Sequence, residues 1–205
     1  MKTLKGFSLI EMSVVLVIVG LLVGSLIVQV GTQIDYSYIK ENERTLEQVK
    51  EALLGYVTIT GVLPYPASNP DLGTEDSSNS TCTGYLPWAT LGVAKEDAWG
   101  RSFRYRCNQD YATSLITTPL LINTTNDLTV QLRDGTSLIN SGVAVVFSLG
   151  KNGSAEADNN DNDKVFTQDG YVPGNSSIAT FDDNLIWLSK TQLVNRLVMA
   201  GRLKY

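Results

Sequence analysis

An α+β fold is expected from this sequence: one long N-terminal helix packed on an antiparallel β-sheet head. Three observations predict it. Residues 12–34 (MSVVLVIVGLLVGSLIVQVGTQI) hold no charged side chain over 23 positions. Residues 35–57 then place Tyr38, Leu46, Val49, Leu53 and Tyr56 at the spacing of one helix face, with charges on the others. Beyond residue 100, short apolar or alternating runs follow one another without helical patterns between them, which favours antiparallel pairing.

The composition narrows the function classes. The chain has 205 residues, 16 Lys+Arg, 21 Asp+Glu, no His and two Cys, for a formal charge of −5. An acidic chain without a basic stretch argues against nucleic-acid binding. The absence of His removes His-based acid–base catalysis, Ser-His and Cys-His nucleophiles and His-ligated zinc.

As a helix the uncharged run spans about 35 Å, enough for a bilayer core of about 30 Å. Lys2 and Lys5 on its short side place the N-terminus in the cytoplasm. A removable secretory signal fits poorly, because the apolar stretch is too long and Gly31-Thr32-Gln33-Ile34-Asp35 offers no small-x-small cleavage site. A plain anchor leaves Glu11 unexplained, since a carboxylate deep in a membrane helix costs roughly 2.5–3.5 kcal/mol on insertion scales.

The context of Glu11 is Lys5-Gly6-Phe7-Ser8-Leu9-Ile10-Glu11-Met12. It resembles the signature of type IV pilins and type II secretion pseudopilins: a short basic leader, Gly, then Phe-[ST]-Leu-[ILV]-Glu and an apolar helix. The resemblance implies cleavage by a prepilin peptidase between Gly6 and Phe7 and methylation of the new Phe7 amine. It implies that Glu11 accepts that amine, within its own chain or from the next subunit, when helices stack. It further implies four segments: a leader 1–6, a transmembrane and assembly helix 7–34, an amphipathic continuation 35–60 and a periplasmic or extracellular head 61–205. Gly20 and Gly24 form a G-x-x-x-G pair that permits close helix approach. Val28 stands where many of these proteins carry a kinking Pro.

The helix should end at Gly61 and Pro64, before a loop rich in Pro, Ser and Asn that runs to residue 92. Asp97-Ala98-Trp99-Gly100-Arg101-Ser102-Phe103-Arg104-Tyr105 resembles the pseudopilin element that leads into the first strand of the head. There Asp97 would accept backbone N–H groups in a turn, and Trp99 would fill space between helix and sheet. Strands are expected at 103–107, 120–123, 128–132, 137–139 and 142–149, with Asp134-Gly135 as a hairpin turn. Cys82 and Cys107 in an oxidising compartment suggest a disulfide, the alternative being two free thiols.

After the strand 142–149 comes an acidic, Asn-rich loop. It fails as an EF-hand, because Asp163 stands where Gly is needed. Its position resembles the calcium-binding loop of pseudopilins. On that resemblance Asp158, Asp161 and Asp163 are candidate Ca2+ ligands, with Asn160 and Asp169 behind them; the alternative is a solvated loop. A short C-terminal helix is expected around Leu193, Leu197 and Met199, with Ser189 as its N-cap and Arg196, Arg202 and Lys204 at its end.

Two function classes remain. One is a structural subunit of a type IV pilus or a secretion pseudopilus, held in the bacterial inner membrane by one span. Its partners would be other pilin-like subunits, the peptidase, the inner-membrane assembly platform and lipid. The other is a single-span binding or sensor protein. An enzyme is disfavoured, because no His, Gly-x-Ser-x-Gly elbow or P-loop is present.

Overall fold

The computed structural model describes residues 6, 8–116, 126–160, 163–173 and 179–203, with the side chains of residues 25–32 and 160 left aside. The expected strand 120–123 therefore lies outside the described residues, as does Lys204. The chain divides into two compact units, residues 1–40 and 41–205. A continuous helix, α1 (Leu9–Thr60), supplies residues to both.

In the first unit α1 is apolar and open to its surroundings: Leu9 is 90% exposed, and the apolar side chains from Ile10 to Val23 are exposed as well. Gly20 and Gly24 likewise have free space around them. Among the described residues no helix is long and apolar enough to cross a membrane.

In the second unit, α1 buries Leu46, Val49, Leu53, Leu54 and Val57, the i, i+3, i+4 stripe that its charge pattern leaves apolar. Tyr38 was expected on this face but is 39% exposed, whereas Asn42 is fully buried. Tyr56 is half-buried and donates to Glu75 Oε1 at 2.8 Å. The helix stops at Gly61, whose φ of +80° favours a residue without Cβ and whose N–H closes on Val57 O at 2.8 Å.

The sheet has six strands: β1 (Thr83–Tyr85), β2 (Arg104–Cys107), β3 (Leu128–Gln131), β4 (Ser137–Ser148), β5 (Val165–Thr167) and β6 (Asn184–Ser189). β4 is its centre, pairing antiparallel with β2, β3 and β6, and β1 pairs antiparallel with β2. One pair departs from the antiparallel expectation: β5 runs parallel to β3. The two are not joined by a hairpin, and a separate crossover leaves their relative direction free. The two strands expected at 137–139 and 142–149 are one strand, bent at irregular register beside β3. The Asp134-Gly135 turn forms as expected, with Asp134 Oδ1 accepting Thr136 N at 2.8 Å.

Alternation along β2 and β4 splits the core. Tyr105, Cys107, Ala144 and Val146 face α1 together with Leu193 and Leu197. Val145 and Phe147 join Leu128, Val130, Phe166 and Leu185 on the other face. Between strands lie α2 (Trp88–Leu91), α3 (Gln109–Thr113) and a 3-10 turn at Ala157–Asn160. Trp88 packs against the α1 side of the core and donates its indole N–H to Pro70 O at 2.9 Å. Trp99 was expected in that role, but it is half-buried and belongs to neither apolar cluster. Asp97 behaves as expected, accepting Trp99 N at 2.9 Å and Arg101 N at 2.8 Å.

The last helix, α4 (Lys190–Met199), starts at a capping box in which Ser189 Oγ accepts Gln192 N and Gln192 Oε1 accepts Ser189 N. Leu193 and Leu197 are buried as expected, but Met199 is 87% exposed. Arg196 pairs with Glu51 of α1 and Arg202 donates to Ile59 O, so the basic end closes the head onto α1. The disulfide Cys82–Cys107 is present, bridging the segment before β1 to the end of β2.

Candidate functional site: the N-terminal motif and an acidic cluster

The N-terminal motif begins α1 with reciprocal hydrogen bonds. Ser8 N donates to Glu11 Oε2 at 3.0 Å, and Glu11 N donates to Ser8 Oγ at 3.2 Å. This is a capping box, in which two backbone N–H groups without helical partners are satisfied by two side chains. The Ser8-x-x-Glu11 spacing is the sequence signal for it, a structural role for Glu11 beside the assembly role that the resemblance implies. Glu11 also places a negative charge in the first turn, where the helix dipole favours one. Gly6 is exposed, and Phe7 lies outside the described residues.

The second feature lies at one end of the sheet. Glu156, Asp182 and Asp183 bring one carboxylate oxygen each within 4.8 Å of the others. Two loops meet here, and each carboxylate holds backbone of the facing segment. Glu156 Oε2 accepts Asp182 N at 2.6 Å and Asp183 N at 3.2 Å. Asp182 Oδ2 accepts Asn152 N at 2.9 Å. Asp183 Oδ2 accepts Glu156 N at 2.8 Å and Asn159 Nδ2 at 2.9 Å. Arg101 fixes the same turn from below, donating to the carbonyls of Gly150 and Lys151. Gly150 sits at φ +57°, where a Cβ would collide with the Asp182 carbonyl, so the two segments meet only because this residue is glycine.

The cluster is electrostatically incomplete. Asp182 and Asp183 are 5% and 4% exposed, and the Oδ1 atom of each is buried without a hydrogen-bond partner. Burial, with the Glu156 charge alongside, pushes the Asp182 carboxyl up to about 6 and the Asp183 carboxyl up to about 7. A proton or a cation satisfies such a site. The donors are hard oxygens, suited to Ca2+ or Mg2+ rather than to softer metals.

The residues expected to bind calcium are placed differently. Asp158 accepts Gln131 Nε2 at 2.8 Å and Thr167 Oγ1 at 3.2 Å, tying the 3-10 turn to β3 and β5. Asp163 Oδ1 accepts Val165 N, and Asp169 Oδ1 accepts Gly170 N while its Oδ2 lies 3.9 Å from Arg133 Nε. Asp161 and the side chain of Asn160 lie outside the described residues. Only the fold brings Glu156 to the Asp182-Asp183 pair. The one sequence signal was an acidic doublet directly before an apolar strand.

In metal-free protein the raised carboxyls set a sign for the pH dependence. Unfolding returns both to the ordinary value of 3.8. Between those limits the native state binds more protons than the unfolded one, so stability falls as pH rises through 6 and 7. The chain treated with EDTA is expected to melt at a higher temperature at pH 5 than at pH 8. An equal or higher Tm at pH 8 would contradict this.

No curated protein and no solved structure matches the chain. Residues 1–27 match the family model described as the prokaryotic N-terminal methylation motif, so the chain carries the type IV pilin and pseudopilin signature at its N-terminus.

Proposed function

We propose that this chain is a pilin-like structural subunit, cut by a prepilin peptidase between Gly6 and Phe7, methylated at Phe7 and polymerised through its N-terminal helix. The observation that carries the reading is the methylation motif at residues 1–27, opening directly into an exposed apolar helix. Exposed apolar side chains on this scale call for a lipid or protein environment. The bilayer supplies one before assembly, and neighbouring subunits supply the other after it. On this reading residues 7–34 anchor and assemble, 35–60 continue the helix and 61–205 form the head outside the inner membrane. Gly20 and Gly24 allow close helix packing. The filament is a type IV pilus or a type II secretion pseudopilus, built on an inner-membrane assembly platform. The motif marks a structural class of proteins, in which the chain itself performs no reaction.

Mass spectrometry of the chain from cells containing the peptidase is expected to show a mature N-terminus at methylated Phe7. An intact Met1 would overturn the processing claim and leave a single-span binding protein as the better account.

The head is further proposed to hold a divalent cation, Ca2+ first, at Glu156, Asp182 and Asp183. Its role is structural: neutralising three carboxylates and locking the 150–156 turn to the start of β6. At a concentration one hundred times Kd, such a cation stabilises by about 2.7 kcal/mol. Calcium added to EDTA-treated chain at pH 8 should therefore raise Tm, and Glu156→Gln should remove most of the increment. No shift in the parent chain would dismiss the site.

A further inference from the structure

Strand β6 pairs with β4 and, among the described residues, with no other strand, so its second side is a sheet edge. The hydrogen bonds next to it show which of its backbone groups point outward. Asn108 N donates to Val143 O, so Val143, Val145 and Phe147 turn their backbone groups to β2, and Ala144, Val146 and Ser148 turn theirs to β6. Their partners Leu188, Ile186 and Asn184 bond to β4, which leaves Leu185, Trp187 and Ser189 facing the open side. Side chains cap two of these three: Leu185 N donates to Gln168 Oε1 at 3.2 Å, and Ser189 N to Gln192 Oε1 at 3.0 Å. Between the caps, the Trp187 N–H and the Leu185 and Trp187 carbonyls have no hydrogen-bond partner among the described residues.

A cleft of about 340 Å3 opens along this edge, lined by Leu185, Ile186 and Trp187 of β6, by Gln168 and Gln192, and by Lys50 of α1. Ile186 comes from the face of β6 that packs on α1, and Leu185 and Trp187 come from the other. The cleft therefore follows the strand edge rather than one face of the sheet. Lys50 is its one charged wall residue. Glu47 pairs with it at 3.6 Å, beyond hydrogen-bond length, so the ammonium N–H groups remain available.

Unpaired backbone groups in a row select their own occupant. An extended polypeptide presents N–H and C=O groups at the same repeat, so it satisfies all three and replaces the glutamine caps with main-chain bonds. Charge decides which polypeptide. Two copies of β6 paired on each other would bring two Lys50 ammonium groups to one seam, where like charges repel. A carboxylate there is attracted instead.

We infer that the β6 edge binds an extended segment of a partner protein in which an acidic residue alternates with apolar ones. The segment adds a strand at Trp187. Its acidic side chain turns to Lys50 on the α1 side, and its apolar side chains lie beside Leu185 and Trp187 on the other. All the residues involved belong to the second unit, so the site does not depend on how the N-terminus is processed.

The full chain in uncharged detergent micelles, labelled for amide NMR, is titrated with N-acetyl-Thr-Val-Glu-Val-Thr-amide. In the free chain the Trp187 amide is expected to exchange with solvent at least tenfold faster than those of Ile186 and Leu188, which bond to β4, and the peptide should slow it at least tenfold. The peptide N-methylated at its three central residues should bind at least tenfold more weakly, as should the peptide with Lys in place of Glu. A Lys50→Glu chain should reverse the preference between the Glu and Lys peptides. The inference is overturned if the Trp187 amide is already protected in the free chain, or if its protection grows with chain concentration, which assigns the edge to a second copy. It is equally overturned if no saturable shift appears by about 5 mM peptide, if the N-methylated peptide binds as tightly, or if a Lys50→Glu chain with native spectra still prefers the Glu peptide.

Discussion

Glu11→Gln is expected to leave cleavage between Gly6 and Phe7 intact and to reduce incorporation into filaments at least a hundredfold. The choice of Gln separates two roles. Gln still serves at the third position of a capping box, so the Ser8–residue 11 hydrogen bonds that start α1 should survive. Only the charge is lost. After cleavage the Phe7 amine is a new cation at the end of an otherwise apolar helix, and Glu11 is the single acid in residues 6–34 that can meet it. Leaving one member of a desolvated ion pair without its partner costs roughly 3–5 kcal/mol, a factor of a hundred to a few thousand in the assembly equilibrium. Ser8→Ala is the matched control: it weakens the cap by about 1 kcal/mol but retains the charge. Yields of sheared filament and of processed subunit, measured together, check the prediction. Normal filament yield from Glu11→Gln would remove the pairing argument, whereas failure of cleavage would move the role of Glu11 to peptidase recognition.

Replacing both Cys82 and Cys107 by Ala is expected to lower the stability of the head by about 3.5 kcal/mol, from the unfolded-chain entropy of a loop with a sequence separation of 25. For a domain of this size that corresponds to a fall in Tm of about 7–14 °C. Both sulfurs are buried against the α1 side of the sheet, so Ala is preferable to a buried hydroxyl. The Cys107 N–H to Cys82 O hydrogen bond, 2.9 Å, holds the same junction and should keep it formed at low temperature. Calorimetry of oxidised, reduced and Ala-substituted chains distinguishes these contributions. If the reduced chain melted with the oxidised one, the bond would be stabilising nothing beyond what the backbone already secures.

How much was readable in advance differs from element to element. The length of α1 was legible because an uncharged run and an amphipathic stripe share one helical period, and because Gly61 can only be a stop. The Asp134-Gly135 turn and the Ser189 cap were legible for similarly local reasons, and the pairing of Cys82 with Cys107 because the chain has only two Cys. Strands β1, β5 and β6 were not. At three to six residues they are too short for alternation to stand out, and their partners lie far along the chain. Tyr38 and Met199 show the limit of periodicity. Each falls at a helical spacing, but only residues beside the sheet are covered, and both lie at the ends of the packed stretch.

The sequence by itself determined the chemistry of the N-terminus. Methylation motif, capping box and apolar helix are contiguous, so residue order alone places Gly6, Phe7, Ser8 and Glu11 together. What tertiary structure decided was every site built from distant segments. An acidic loop is visible in the sequence, but which carboxylates converge depends on Gly150 letting the Asp182 backbone approach and on Arg101 holding the turn. Charges in a sequence are sums over position along the chain. Their energies depend on distance and desolvation, and only the fold sets those.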